Sequence, residues 1–362
     1  MTRPALGASL EDGFNRRLIP FLRRRGWRPT TIAFTGYGNL DSLRVLARVV
    51  LTRDDDGAPP AADAGATGTE LAEAAEAVRG WRSFVTAPVA FLPVEIRIGA
   101  ATHAARADRG GYLDLLVPDH RLPAGWHDIT ISARGARPTT ARVLVIGPET
   151  RLGVVSDIDD TVMVTRVPRP LVAAWNTFVR HTTARQAVPG MAQLLRSLHD
   201  SRPATPVLYL STGAWNVAPA VERFFRRSGV PAGPLLMTDW GPTNTGWFRS
   251  GQEHKRTTLR RLLIDFPQVR WLLIGDDGQH DPEIYTELAR EHPDRVAAIG
   301  IRQLTAGEHV LAHGTPQALD AGGGHDGGGL RGTPDVPVVA APDGHGLRRA
   351  LAPHLDRGDG RG

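Results

Sequence analysis

Cysteine is missing from all 362 residues. Its absence excludes disulfides, a thiol nucleophile and any cysteine-ligated metal, and it fits a reducing compartment. Lysine is nearly as scarce: of 43 Lys and Arg residues, only Lys255 is a lysine. There is no apolar run long enough to span a bilayer. The opening MTRPALGASLEDGF also lacks an apolar core of signal-peptide length. A cytoplasmic protein is therefore expected. No basic stripe interleaved with aromatics is present, which argues against nucleic acid as a partner. What remains is a soluble, globular composition, 41% hydrophobic and 22% charged. The net charge of +5 and pI of ≈ 10.3 suit anionic partners such as phosphate esters or an acidic membrane surface. The length leaves room for two or three domains.

Residues 1–30 are a basic amphipathic segment. Leu10, Phe14 and Leu18 fall on one helix face beside Arg16 and Arg17, a pattern that can lie on anionic lipid or pack on its own domain. From 31 to 149 the pattern is of short strands between turn signals, which predicts an all-β, sandwich-like domain. Within it, 54–69 (DDDGAPPAADAGATGT) reads as a disordered insert and 69–81 as a helix. His103, Asp108 and His127 are scattered over this half and form no constellation.

At Leu152 strands begin to alternate with helices. The alternation predicts an α/β domain with a doubly wound parallel sheet over 150–310 and 335–356. The Gly-rich stretch 311–334 reads as a disordered insert, and 357–362 as a tail. In such sheets, sites lie beyond the carboxyl ends of the strands, and four predicted strand ends here carry chemistry. The first is Asp157-Ile158-Asp159-Asp160-Thr161. Residues i and i+2 of an extended segment point the same way, so Asp157 and Asp159 can face one substrate, one as nucleophile and the other as proton carrier. Crowded carboxylates call for a divalent cation; the alternative is an acidic turn that only caps the next helix. The second strand end is Ser211-Thr212-Gly213, where a hydroxyl, free amides and a side-chain-free approach suit a phosphate oxygen. Lys255, near the start of a helix, can neutralise both a phosphate and a carboxylate. The last is Gly275-Asp276-Asp277-Gly278-Gln279-His280-Asp281, a second acidic end able to complete an oxygen-ligand Mg²⁺ site with Asp157.

This ordered set resembles the haloacid-dehalogenase-like phosphohydrolases, with their Rossmann-like sheet. The flanks SDIDDT, GAWN and GDDGQHDPEIY look more closely like the phosphatidate phosphatase family named after the yeast actin-patch protein. The resemblance implies a phosphomonoesterase working through an aspartyl-phosphate. Asp157 would be its nucleophile and Asp159 its general acid, then base. Mg²⁺ would sit on the Asp157 carboxylate, the Asp159 carbonyl and Asp276, with Thr161, Asp277 and Asp281 behind them. Ser211, Thr212, Gly213 and Lys255 would hold the phosphoryl group. Members more usually carry Ser where this chain has Asp277. The resemblance implies phosphatidate as substrate and peripheral contact with an anionic membrane; a soluble phosphate ester, a phosphorylated macromolecule and a non-catalytic scaffold are the alternatives. Trp215, Trp240, Trp247 and Phe248 are expected near the rim, as interface, pocket or core residues. Oligomeric state is not legible.

Overall fold

The computed structural model describes residues 21–53, 87–164, 186–201, 205–238, 251–278, 280–308 and 335–355. The chain divides into two compact units, one made of Met1–Gly147 with Asp239–Arg249 and the other of Pro148–Thr238 with Ser250–Gly362.

The first unit contains β1 (Trp27–Gly38), β2 (Ser42–Arg53), β3 (Ala87–Pro88), β4 (Pro93–Ile98), β5 (Ala101–Arg106), β6 (Tyr112–Pro118), β7 (Gly125–Ala133) and β8 (Thr139–Val145). The hairpin β1–β2 turns on Asn39, whose side-chain oxygen accepts the amides of Asp41 and Ser42, each at 2.9 Å. Gly38 sits so close to the Ser42 carbonyl that no side chain would fit. Where the sequence suggested a sandwich, the eight strands join as one hydrogen-bonded sheet in the order β3-β2-β1-β8-β7-β4-β5, with β6 also on β2. All pairs are antiparallel except β1 with β8. Alternate residues supply one core: Leu43, Val45, Ala47, Val49 and Leu51 of β2 meet Val94, Ile96 and Ile98 of β4 and Ile129 and Ile131 of β7. A period of two on the face that meets this core follows from the pleat of a strand, and Leu46 and Val50 on the other face of β2 are buried as well.

The second unit runs β9 (Leu152–Asp157), α1 (Met191–Ser201), β10 (Val207–Ala214), α2 (Ala218–Ser228), β11 (Leu235–Thr238), α3 (Gly251–Asp265), β12 (Arg270–Asp276), α4 (Asp281–Glu291), β13 (Val296–Arg302), β14 (Val338–Ala341) and α5 (Gly344–Leu355). Its strands are ordered β11-β10-β9-β12-β13-β14, and every pair is parallel. Every residue of β13 is buried, as are all but the first of β9 and of β12. They read as continuous apolar runs rather than alternating ones because a parallel sheet is covered on both faces. The order reverses between β9 and β12. Such a switch point opens a crevice beyond the carboxyl ends of the strands, and Asp157 and Asp276 are the last residues of these two strands.

Among the described residues no helix is long and apolar enough to cross a membrane. Most of the N-terminal segment, the inserts expected at 54–69 and 311–334, the helix expected at 69–81, much of that expected at 170–200, the tail, and Trp240, Trp247 and Phe248 lie outside the described residues. Trp215 is described and buried, in a single 3-10 turn ahead of α2.

Candidate active site

Parallel pairing sets the positions of the strand ends. Asp157 is in register with Leu210 of β10, so Ser211 is the next residue along the neighbouring strand. On the other side Ser156 is in register with Ile274, two residues before Asp276. Helix α3 delivers Lys255, and α4 opens with Asp281.

These side chains converge in a dry space. The Lys255 Nζ donates to Asp157 Oδ1 at 2.6 Å and to Asp281 Oδ1 at 2.5 Å. None of the three side chains is more than 2% exposed. Oxygens of Asp157, Asp276 and Asp281 all lie within 4.8 Å of one another. Asp276 Oδ1 accepts the Gly278 amide at 2.8 Å, and its Oδ2 accepts the Thr161 hydroxyl at 3.4 Å. Beside the cluster, Ser211 Oγ donates to Asp159 Oδ2 at 3.1 Å and accepts the Gly213 amide at 2.9 Å.

Three carboxylates face a single ammonium. Burial works against the charge on Lys255, but the ion pairs with Asp157 and Asp281 override it and raise its pKa. Asp157 and Asp276 are both pushed well above the usual carboxylate range. Burial is the main cause for each; Asp281 adds to it, and Lys255 only partly offsets it. Among the described residues, nothing donates a hydrogen bond to the buried Asp157 Oδ2 and Asp281 Oδ2. Such oxygens are costly unless a proton or cation meets them. The donor set is all carboxylate, which fits a hard divalent ion and no soft one.

The structure thus brings Asp157, Asp276, Asp281, Lys255 and Thr161 together, with Asp159, Ser211 and Gly213 adjoining. Asp281, expected behind the metal's waters, bonds Lys255 directly and contributes an oxygen to the acidic cluster itself. Asp159 contributes no carboxylate oxygen to that cluster. Thr212 is solvent-exposed, and its carbonyl accepts the Thr238 hydroxyl at 3.0 Å. Asp277 turns toward the end of β13, where its Oδ1 accepts the Leu304 amide at 2.8 Å. Sequence reasoning missed Arg302, although a lone basic residue closing the apolar strand VAAIGIR was a signal.

The space behind the cluster is tight. A Cβ on Gly275 would stand 2.5 Å from Asp281 Oδ2 and 2.8 Å from a Tyr285 ring carbon. Gly275→Ala is therefore expected to destabilise the protein by about 1–3 kcal/mol through overpacking. Urea unfolding measures this, and an unchanged midpoint would show that α4 yields freely.

Residues 152–303 match the family described as phosphatidate phosphatase APP1, catalytic domain. These residues are similar to the catalytic domain of that family. The APP1-type segment contains every residue of the cluster. Phosphatidate phosphatase APP1 of Saccharomyces cerevisiae is 27% identical over 152 residues, which are 42% of this chain and 26% of that protein. An uncharacterized protein of Schizosaccharomyces pombe is 25% identical over 154 residues, 42% of this chain and 25% of that one. The match therefore spans about a quarter of the length of these curated relatives. Among solved structures, the HAD domain of effector protein Lem4 from Legionella pneumophila is similar at 15% identity over 43% of this chain and 87% of that one, with a TM-score of 0.30.

Proposed function

We propose that the protein is a Mg²⁺-dependent phosphatase that hydrolyses phosphatidate, or a phosphomonoester like it, through an aspartyl-phosphate on Asp157. The observation that carries this reading is the buried Asp157–Lys255–Asp281 array beside the Asp159–Ser211 pair, inside a segment of the APP1 catalytic type.

Asp157 supplies the nucleophilic oxygen. Its bond to phosphorus forms as the ester P–O bond breaks, and the Asp159 carboxyl donates its proton to the departing alkoxide oxygen. In the second half Asp159 takes a proton from water. The water oxygen then bonds to phosphorus, and the Asp157–phosphorus bond breaks to release inorganic phosphate. Lys255 and Ser211 orient the phosphoryl oxygens, and the ammonium meets charge that grows in the transition state. Asp157 and Asp276, with the Asp159 carbonyl and Asp281 in support, would hold Mg²⁺. The bound ion supplies positive charge that lets an anionic carboxylate approach an anionic phosphate. A lipid substrate also requires contact with its interface, and the basic chain suits an anionic one.

The test is phosphate release from phosphatidate in mixed micelles, with a soluble aryl phosphate run in parallel. Release from the lipid is expected to stop with a chelator and return with Mg²⁺. Release from the aryl phosphate alone would keep the chemistry and remove the lipid. Mg²⁺ is also expected to raise the unfolding midpoint of the wild type. At a hundred times its Kd the gain is about 2.7 kcal/mol. Asp276→Asn is expected to lose most of that shift.

A further inference from the structure

Arg302, the last residue of β13, is 4% exposed and lies outside the catalytic array. Its guanidinium reaches three acceptors. One terminal nitrogen donates to the Asp160 carbonyl at 2.6 Å, the other to Glu308 Oε1 at 2.7 Å, and Nε to the Pro342 carbonyl at 3.3 Å. A buried arginine needs acceptors, and in that sense Arg302 is merely satisfied. The choice of acceptor is what matters. Asp160 has a left-handed backbone, φ 58°, although it is not glycine, and it directly follows Asp159. A conformation of this kind persists only where its surroundings over-determine it.

The turn has its own bonds. The Asp160 amide donates to the Met163 carbonyl at 2.8 Å, and the amides of Val162 and Met163 donate to the Ile158 carbonyl at 3.0 and 3.1 Å. None of these engages the Asp160 carbonyl, which Arg302 holds. Glu308, which accepts the other terminal nitrogen, is itself set by a capping box: its Oε2 accepts the Thr305 amide at 2.9 Å, while its own amide donates to the Thr305 hydroxyl at 3.3 Å. The same strand exit also grips the other acidic strand end. The Arg302 carbonyl accepts the Asp277 amide at 3.0 Å, and the Leu304 amide donates to Asp277 Oδ1.

We infer that the exit of β13 is a brace for both acidic strand ends, and that Arg302 is a positioning residue that sets the Asp159–Asp160 turn through the Asp160 carbonyl. In its kinetic part this rests on the proposed phosphatase reading. The acceptors of Arg302 are the Asp160 and Pro342 carbonyls and Glu308, none of them a reacting atom. It acts by holding Asp159 where its proton is needed, and a misplacement of about 1 Å at such a group can cost on the order of 100-fold in rate.

The experiment compares Arg302→Ala, Arg302→Lys and Glu308→Gln with wild type, by amide hydrogen exchange over 158–163 and by steady-state kinetics with Mg²⁺. Arg302→Ala is expected to speed exchange at Asp160, Val162 and Met163 while β10 and β12 stay protected. It should lower kcat by about 10–100-fold and leave KM within about threefold. Added guanidinium should restore part of kcat. Arg302→Lys should recover part of it too, since an ammonium reaches one acceptor but not the fork. Glu308→Gln, which leaves the Asp160 bond, should stay within about threefold of wild type. Unchanged exchange at 158–163 would overturn the inference whatever the kinetics. Loss of protection across the whole sheet would overturn it too, showing that Arg302 only seals the strand end. A wild type inactive on every phosphomonoester would overturn the phosphatase reading, while the exchange arm would still decide the brace.

Discussion

Asp157→Asn is expected to lower phosphate release by about 10,000-fold or more, because the amide cannot form the covalent intermediate. Asparagine keeps the shape of the side chain, and its oxygen can still accept from Lys255 where Asp157 Oδ1 does now, at 2.6 Å. The fold should therefore survive. Without Mg²⁺ the variant should be at least as stable as wild type. Burial pushes the Asp157 carboxyl well above its ordinary pKa, so its charge is a burden on the metal-free fold, and removing it relieves the crowding with Asp276 and Asp281. Function and stability then move in opposite directions at one atom, as at other sites kept strained for activity. Phosphate release and the thermal midpoint, measured on one preparation, check both halves. A variant that keeps a tenth of the wild-type rate would remove Asp157 as nucleophile.

Lys255→Met is expected to have the second-largest effect, and it lies mainly in stability. Methionine fills a similar volume but leaves three buried carboxylates with no counter-charge among their present partners. Breaking a buried pair from one side costs about 3–5 kcal/mol. The cost should depend on pH with a definite sign. Asp157 and Asp276 are raised by burial in the folded protein, against an unfolded value of about 3.9. Above that value the folded state holds more protons than the unfolded one, so stability falls as pH rises toward the folded pKa values. Loss of the ammonium pushes those values higher still. The variant should thus be closest to wild type near pH 4 and furthest from it at neutral pH. Urea titrations at three pH values measure this, and a pH-independent difference would mean that Lys255 contributes packing rather than charge. Activity should fall by about 100-fold or more, since the phosphoryl group loses its fixed cation.

Much of this site could be read along the chain. Parallel strands present their carboxyl ends at one edge, so Asp157 and Asp276, which close LGVVSD and RWLLIGD, were bound to share it with Ser211 of VLYLSTGA. The sole lysine among so many arginines pointed to a place where a compact charge is needed. The single sheet of the first unit was not legible, because alternation tells which face of a strand is buried and not which strand it pairs with.

By itself, the sequence determined the periodicity of each element and the chemistry at each strand end, since both depend on residues a few positions apart. The tertiary structure alone decided which strand ends are neighbours. It set β9 between β10 and β12, turned Asp281 onto Lys255 and Asp277 away to Leu304, and brought Arg302 to the Asp160 carbonyl across 142 positions of chain. Contacts at such separation depend on strand order and on the packing of helices over the sheet, and no local spacing encodes either.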